Sequence, residues 1–299
     1  MTMHYLPPIQ QRAMAPQGTV NPPNGASKYH GDVAAGYDTK REPDAKHIVE
    51  QGIIERMLSE MPEGSTVVDF PIGTGRFLDV CYRNKFQVLG FDLSPEMMAE
   101  SASKIADEAK VIFAVGDVRT AHVLSRNLSP QDLIAALPQL KAMREKYTPL
   151  AQRRVIEQAI RAGIVEPPPA GMSMDEIIAQ LIAAKAIPKD VVEMLVLRKL
   201  TAELGWAIDK PKRIADKIAD VAVNCRITRW LEPAECQAMM REMMRIVKCR
   251  IIWTARVANH QHARTIELFE SVLHPGGWRV TRNEAGYVTD YRILEARPA

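Results

Sequence analysis

Three short apolar runs follow one another in the first half of the chain, at Thr66–Phe70, Gln87–Asp92 and Lys110–Val115. Helix-forming stretches separate them. One of these stretches begins at Ser94-Pro95, where serine can cap a helix and proline suits its first turn. Strands that alternate with helices at this spacing pair in parallel, since a tight hairpin does not connect them. We therefore predict an α/β fold whose mostly parallel sheet is covered by helices on both faces.

This alternation stops after the third run. Between residues 120 and 217 the patterns are helical, and almost nothing resembles a strand. Strand patterns resume at residues 219–223 and 249–255, and Trp278–Arg282 and Tyr291–Ala296 should form an antiparallel pair. The fold class expected is a Rossmann-like sheet of about seven mostly parallel strands with an antiparallel last strand, plus a helical insertion.

The chain accordingly divides into four segments. Residues 1–28 contain five prolines among polar residues and should form a mobile arm. Residues 29–119 and 218–299 should build one ligand-binding domain from two pieces. Residues 120–217 should form a helical insertion that acts as a lid or binds a substrate.

A glycine-containing loop after the first strand carries the strongest functional signal. Asp69 ends the strand, and Gly73 and Gly75 let the backbone turn tightly against a ligand. Asp92 ends the second strand 19 residues after Gly73, close to the offset of about 20 expected for a ribose-binding carboxylate. Asp117 follows the third strand. A ligand containing adenosine would meet these acids in order.

The loop does not suit a dinucleotide. Close packing of a helix beneath a pyrophosphate needs a glycine or alanine three residues after Gly75, and that position is Leu78. A nucleoside without phosphate, such as S-adenosylmethionine, fits the loop better.

Three motifs in these segments resemble the class I S-adenosylmethionine-dependent methyltransferases, namely VVDFPIGTGRF, VLGFDLSPEMM and VIFAVGDV. The resemblance covers about residues 30–119 and 218–299. It implies a methyltransferase that uses S-adenosylmethionine as its cofactor. Pro71 departs from the pattern, because many members have glycine there and proline removes a backbone N–H.

The resemblance also implies a set of cofactor contacts. Asp92 would accept hydrogen bonds from both ribose hydroxyls, Asp117 would reach the adenine amine, and Asn224 would lie where cofactor and acceptor meet. Tyr37 and Arg41, in a segment similar to the lead-in helix of that family, would close over the cofactor. The full implied set is Asp69, Gly73, Thr74, Gly75, Asp92, Leu93, Asp117, Val118, Asn224, Tyr37 and Arg41.

The acceptor site has weaker signals. Arg226 and Arg229 follow the fourth strand and could anchor an acidic or phosphate-bearing substrate, although surface ion pairs would explain them equally well. His260 and His262 form an H-x-H pair without a strong third ligand, so no metal site is predicted. No residue can be assigned as a general base.

Charge, cysteine content and the length of apolar runs bear on the kind of partner and on where the protein is expected to be found. The 39 basic and 36 acidic side chains nearly balance, so the net charge does not indicate nucleic acid or an anionic membrane as a partner, although a local basic patch would still allow nucleic acid. A small-molecule acceptor is the favoured partner. Four scattered cysteines form no C-x-x-C pair, and no apolar run approaches the length of about 18 residues that crosses a bilayer. We therefore expect a reduced, cytoplasmic protein without a membrane span.

Other functions are compatible with the same cofactor site. Aminopropyl transfer or cleavage of S-adenosylmethionine would use the same carboxylates, as would a module that binds the cofactor without catalysis. Methylation of nucleic acid would need basic side chains of the insertion to grip phosphates, with a steep salt dependence of binding.

Overall fold

The computed structural model describes residues 31–41, 44–105, 110–184, 186–187, 189–256, 266–286 and 291–299. The arm predicted for residues 1–28 and the pair His260 and His262 lie outside the described residues. In the part of the chain that is described, no helix has the length and apolar character needed to cross a membrane.

The first segment alternates helices and strands as predicted. Its elements are α1 (Gly31–Ala35), α2 (Tyr37–Arg41), α3 (Ala45–Ser59), β1 (Thr66–Asp69), α4 (Leu78–Arg83), β2 (Gln87–Asp92), α5 (Pro95–Ala102) and β3 (Val111–Asp117). Asp44 caps α3 by accepting from the backbone N–H of Lys46 at 3.0 Å. Ser94 caps α5, as its sequence predicts, by accepting from the N–H of Met97 at 3.2 Å.

The middle segment contains β4 (His122–Ser125), α6 (Pro130–Arg161), α7 (Met174–Ala183), α8 (Lys189–Glu203) and β5 (Ala207–Arg213). Capping boxes begin two of these helices, with Ser129 and Asp132 at α6 and Ser173 and Glu176 at α7. Both helix starts confirm the sequence prediction.

The last segment returns to alternation. It contains β6 (Ala219–Asn224), a 3₁₀ turn (Thr228–Trp230), α9 (Pro233–Ile246), β7 (Val247–Arg256), α10 (Ile266–Leu273), β8 (Trp278–Ala285) and β9 (Tyr291–Pro298). Proline in the first turn of α9 and a buried methionine-rich face, including Met239, Met240 and Met243, place this helix against the sheet.

The strands form one sheet in the order β5-β4-β3-β2-β1-β6-β7-β9-β8. The five strands from β3 to β7 in this order are parallel, and β9 runs antiparallel to both of its neighbours. The predicted fold class, a mostly parallel sheet with an antiparallel last strand, is confirmed. The chain leaves β1 toward β2 and β3 on one side and later returns to β6 on the other side of β1.

Within the described residues the sheet has nine strands, whereas the sequence predicted about seven. The additional strands, β4 and β5, come from the segment 120–217, where the sequence showed only helical patterns. Both are antiparallel to their neighbours, and β5 forms the edge. Its sequence reads Lys210-Pro211-Lys212, which suits an exposed edge but lacks the apolar alternation that identifies a strand.

The insertion is smaller than its sequence suggested. The first half of α6 belongs to the main core, because Leu133, Ala136 and Leu140 pack with residues of the central sheet. A separate cluster, which includes Tyr147, Val155, Ile156, Leu181 and Leu200, joins the second half of α6 to α7 and α8. Residues 143–200, which we call the helical unit, are therefore the part that stands apart from the sheet.

A buried ion-pair cluster docks the helical unit onto the sheet domain. Arg144 of α6 donates to Glu96 of α5 at 2.6 Å and to both carboxylate oxygens of Glu193 of α8, at 2.7 and 2.8 Å. Both glutamates are buried. Met194 and Leu197 of α8 add apolar contact by packing against Leu93.

Candidate functional site

A cavity lies at the carboxyl ends of β1, β2, β3 and β6, where the strand order reverses. Crevices of this kind are where open α/β sheets bind ligands, because loops diverge on either side of the reversal. Its walls include Tyr37, Asp38, His47, Asp69, Phe70, Pro71, Ile72, Gly73, Thr74, Arg76, Phe77, Asp92, Leu93, Ser94, Met97, Gly116, Val118, Cys225, Arg226, Ile227 and Trp230.

The glycine loop after β1 forms one wall of the cavity. Gly73 and Gly75 have φ angles of +56° and +74°, which favour glycine. A Cβ at Gly75 would also lie 2.4 Å from the Ser101 hydroxyl and 2.5 Å from Leu78, so the loop packs directly on α4 and α5. The N–H of Gly73 donates to Asp92 Oδ2 at 2.9 Å, which ties the loop to the end of β2.

Asp69 lies on the same wall in an environment that disfavours its ionised form. Its side chain is buried at the end of β1, and Oδ1 has no hydrogen-bond partner among the described residues. Burial raises the pKa of Asp69 well above its ordinary value, and the nearby Asp92 raises it further, while Arg76 opposes the shift. A buried acceptor without a donor is rare in folded proteins, and in a cavity it is suited to a ligand.

Asp92 and Leu93 lie where the sequence predicted, at the end of β2 in the cavity wall. Asp92 Oδ1 accepts from the N–H of Ser94 at 2.9 Å. These backbone contacts orient the carboxylate at the cavity wall.

Asp117 has a different environment from the one predicted. Its carboxylate is held by a fork of Arg119, with Nε 3.0 Å from Oδ1 and Nη2 2.6 Å from Oδ2. Arg119 in turn donates to Glu235 at 2.7 Å. Asp117 is absent from the cavity wall, whereas Gly116 and Val118 line it. The geometry therefore gives no support to a contact between Asp117 and an adenine amine.

Asn224 is also withdrawn from the cavity wall. It is fully buried at the end of β6, and its Nδ2 donates to the carbonyl oxygen of Phe70. This bond joins the ends of β6 and β1, directly before the glycine loop. The arrangement favours a positioning role for Asn224 over the predicted contact between cofactor and acceptor.

Helix α2 closes one side of the cavity. Tyr37 and Asp38 both line it. The Thr74 hydroxyl donates to Asp38 Oδ1 at 2.7 Å, and Lys104 donates both to Asp38 and to the carbonyl oxygen of Thr74. Arg41 ends α2, and its side chain lies outside the described atoms. The contacts of Asp38 with the loop carried no sequence signal.

A second group of charges, which we call the Glu50 cluster, brings Arg76, Cys225 and Arg226 to the cavity wall around the buried Glu50. Glu50 of α3 is 1% exposed and accepts from Arg76, from the Cys225 thiol at 2.9 Å and from Arg226 Nε at 3.0 Å. Burial raises the pKa of Glu50, but Arg226 and Arg76 outweigh this effect and lower it below its ordinary value. Glu50 therefore stays ionised between two arginines. Sequence analysis missed it, since nothing distinguishes a helix glutamate that turns inward.

Arg226 occupies an unusual backbone conformation, with a φ of +62°. Its N–H donates to Thr254 Oγ1 at 2.7 Å, and its guanidinium lies 6.0 Å from the ring centre of Tyr291. The structure thus places Arg226 in the cavity wall, and its role in binding a substrate stays a prediction. The side chain of Arg229, in the 3₁₀ turn, lies outside the described atoms.

Comparisons with known proteins give structural matches only. No protein-family model matches the chain, and no curated protein matches its sequence. A magnesium protoporphyrin IX methyltransferase (ChlM) from Synechocystis PCC 6803 with bound SAM is 9% identical, with a TM-score of 0.49 over 95% of this chain and 100% of that one. A TehB-like SAM-dependent methyltransferase from Corynebacterium glutamicum is 11% identical, with a TM-score of 0.46 over 90% and 99%. What this chain binds has to be inferred from its own cavity.

Proposed function

We propose that this protein is a methyltransferase of the class I family that uses S-adenosylmethionine. The observation that carries the proposal is the acidic wall at the strand reversal, where Asp69 and Asp92 flank the glycine loop. The three sequence motifs that resemble the family converge on this wall, as expected if they serve one ligand.

The charge of the wall fits this cofactor better than a phosphate-bearing one. S-adenosylmethionine carries a sulfonium and an ammonium group, which carboxylates attract, whereas Asp92 and Asp38 would repel a pyrophosphate. The unpartnered Oδ1 of Asp69 offers an acceptor to a cationic N–H donor. The side chain of Leu78 packs beneath Gly75, where a dinucleotide site needs a close helix approach.

Different residues of the cavity would bind different parts of S-adenosylmethionine. Asp92 would accept from the ribose hydroxyls, Leu93 and Val118 would flank the adenine, and the glycine loop would contact the methionine part. Tyr37 would cover the site, held there because Asp38 of the same helix is bonded to Thr74. Asp117 is given no direct role, since Arg119 occupies its carboxylate.

Bound S-adenosylmethionine would supply an electrophilic methyl carbon, and its sulfonium sulfur would leave as the thioether of S-adenosylhomocysteine. The chain would contribute mainly orientation, by holding the acceptor in line with that methyl, and exclusion of water. The helical unit is well placed to shape this pocket, since α8 packs against Leu93. We propose that it is a docked wall of the site and not an independently moving lid.

Product analysis tests the proposal directly. The protein is first titrated with S-adenosylmethionine by calorimetry, then incubated with methyl-labelled cofactor and fractionated cell extract. We expect binding, transfer of label to one fraction, and formation of S-adenosylhomocysteine. Formation of 5′-methylthioadenosine instead would indicate transfer of the aminocarboxypropyl group or cleavage of the cofactor, and absence of binding would refute the proposed site.

A further inference from the structure

Arg226 presents unused hydrogen-bond donors to the cavity. Its Nε is bonded to both oxygens of Glu50, at 3.0 and 3.1 Å. Within the described part of the chain, neither Nη1 nor Nη2 has a hydrogen-bond partner, although the side chain is only 16% exposed. The two terminal nitrogens of a guanidinium form a planar fork that matches a carboxylate. An anion is therefore the ligand that this edge of Arg226 is suited to bind.

The charges of the Glu50 cluster also favour an anionic ligand. Two arginines, Arg76 and Arg226, share the single carboxylate of Glu50. Burial raises the pKa of the Cys225 thiol and of the Tyr291 phenol above their ordinary values, so both stay neutral. Burial likewise raises the pKa of Asp69, the carboxyl near Arg76. One positive charge of the Glu50 cluster thus lacks a fixed anion in contact with it. A ligand with one negative charge would complete the balance.

The backbone holds Arg226 in place at a conformational cost. A φ of +62° is unfavourable for a residue with a side chain. The N–H bond to Thr254 Oγ1 maintains it, and Thr254 is itself 3.1 Å from the Tyr291 hydroxyl. Strained residues that their surroundings hold in this way concentrate at ligand sites.

We propose that Arg226 anchors a carboxylate of the methyl acceptor, so that the acceptor is a small organic acid with an apolar body. The proposal rests on the proposed function. Arg226 follows β6, while the residues assigned to the cofactor follow β1, β2 and β3 on the other side of the strand reversal. Ile227 and Trp230 line the cavity beside it and supply an apolar surface for the body of the acid.

The same chemistry has a second source, because the cofactor carries a carboxylate of its own. The variant Arg226→Lys distinguishes a carboxylate of the acceptor from the carboxylate of the cofactor. Lysine keeps a positive charge for Glu50, so that the buried glutamate remains paired, but it lacks the planar fork. Arg213→Lys, on the exposed edge strand β5, is the matched control.

The probes are benzoate and its neutral isostere benzamide, titrated into protein saturated with S-adenosylhomocysteine and followed by ligand-observed NMR. We expect benzoate to bind more tightly than benzamide, and Arg226→Lys to weaken benzoate about tenfold or more while S-adenosylmethionine affinity changes less than about twofold. The control should match the wild type in both titrations.

Three results would overturn the inference. Benzoate no tighter than benzamide would remove the anion site. Equal benzoate affinity in wild type and Arg226→Lys would remove Arg226 from it. If Arg226→Lys loses affinity for S-adenosylmethionine but not for 5′-methylthioadenosine, which lacks the carboxylate, then the guanidinium of Arg226 binds the cofactor's carboxylate instead. Failure of the wild type to bind either nucleoside would instead refute the proposed function, and the benzoate titration without nucleoside would still test the anion site.

Discussion

Asp69 makes cofactor binding depend on pH in a way that can be measured. In the free protein its pKa is raised well above the ordinary value, first by burial and then by Asp92. A cationic ligand beside it favours the ionised form, so binding lowers this pKa and releases a proton. The affinity for S-adenosylmethionine should therefore rise with pH below the free-protein pKa of Asp69 and become constant above it.

The magnitude follows from linkage. One released proton corresponds to a tenfold gain in affinity per pH unit, or about 1.4 kcal/mol per unit. Asp69→Asn keeps the size of the side chain but cannot ionise, so this dependence should vanish. At high pH the variant should bind more weakly than wild type by about 1.5–3 kcal/mol, the contribution of a hydrogen bond to a charged group.

Calorimetry in buffers of different ionisation enthalpy counts the protons released. The ligand's own amino group titrates in both proteins, so the difference between wild type and Asp69→Asn isolates Asp69. Proton release and pH slope that are the same in both would refute the assignment of Asp69 to a cationic ligand.

The free protein should show the opposite trend in stability. A carboxyl group whose pKa is raised in the folded state stabilises the fold fully below its unfolded pKa, and this contribution is lost as pH rises toward the folded value. The ligand-free wild type should thus lose stability with rising pH relative to Asp69→Asn, as thermal or urea unfolding would reveal. Equal pH profiles would show that Asp69 does not titrate as described.

Three further perturbations test other parts of the structure. Asp92→Ala should weaken S-adenosylmethionine binding at least about tenfold while the exposed control Asp209→Ala does not, and equal affinities in calorimetry would remove Asp92 from the site. Arg144→Met should lower the free energy of unfolding by about 3–5 kcal/mol, because two buried glutamates lose their partner, whereas an unchanged urea midpoint would show that the cluster contributes nothing. A Gly/Ser linker in place of residues 120–217 should prevent folding, since it removes β4, β5 and core residues of α6; a cooperative unfolding transition in that variant would contradict this description.

The central sheet and the acidic wall could be predicted because their causes are local. Parallel strands buried on both faces produce continuous apolar runs, and the acids Asp69 and Asp92 come at or near the ends of such runs. The glycines of the loop between them are needed for its positive φ angles. Each of these signals lies within a few residues of the structure it specifies.

What could not be predicted depends on contacts between distant parts of the chain. The position of Asp117 at the end of a strand was predicted, but a neighbouring Arg119 occupies its carboxylate and removes it from the cavity. Glu50 lies 26 residues from Arg76 and 176 from Arg226, and only the folded chain brings them together. Strand β5 was not predicted, because an exposed edge strand lacks the apolar alternation by which a strand is recognised in a sequence.

Helix α6 connects the helical unit to the sheet domain as one long, continuous helix. It runs unbroken from Pro130 to Arg161, with its first half in the main core and its second half in the helical unit. Pro138 and Pro149 each remove one backbone hydrogen bond, so bending concentrates there. The helix extends about 35 Å from Pro138 to its end at Arg161, so a bend of about 10° at Pro138 would move that end by roughly 6 Å. The buried ion pairs of Arg144 hold this part of the helix docked, so loss of those pairs would allow displacements of a few ångströms to reach the pocket wall.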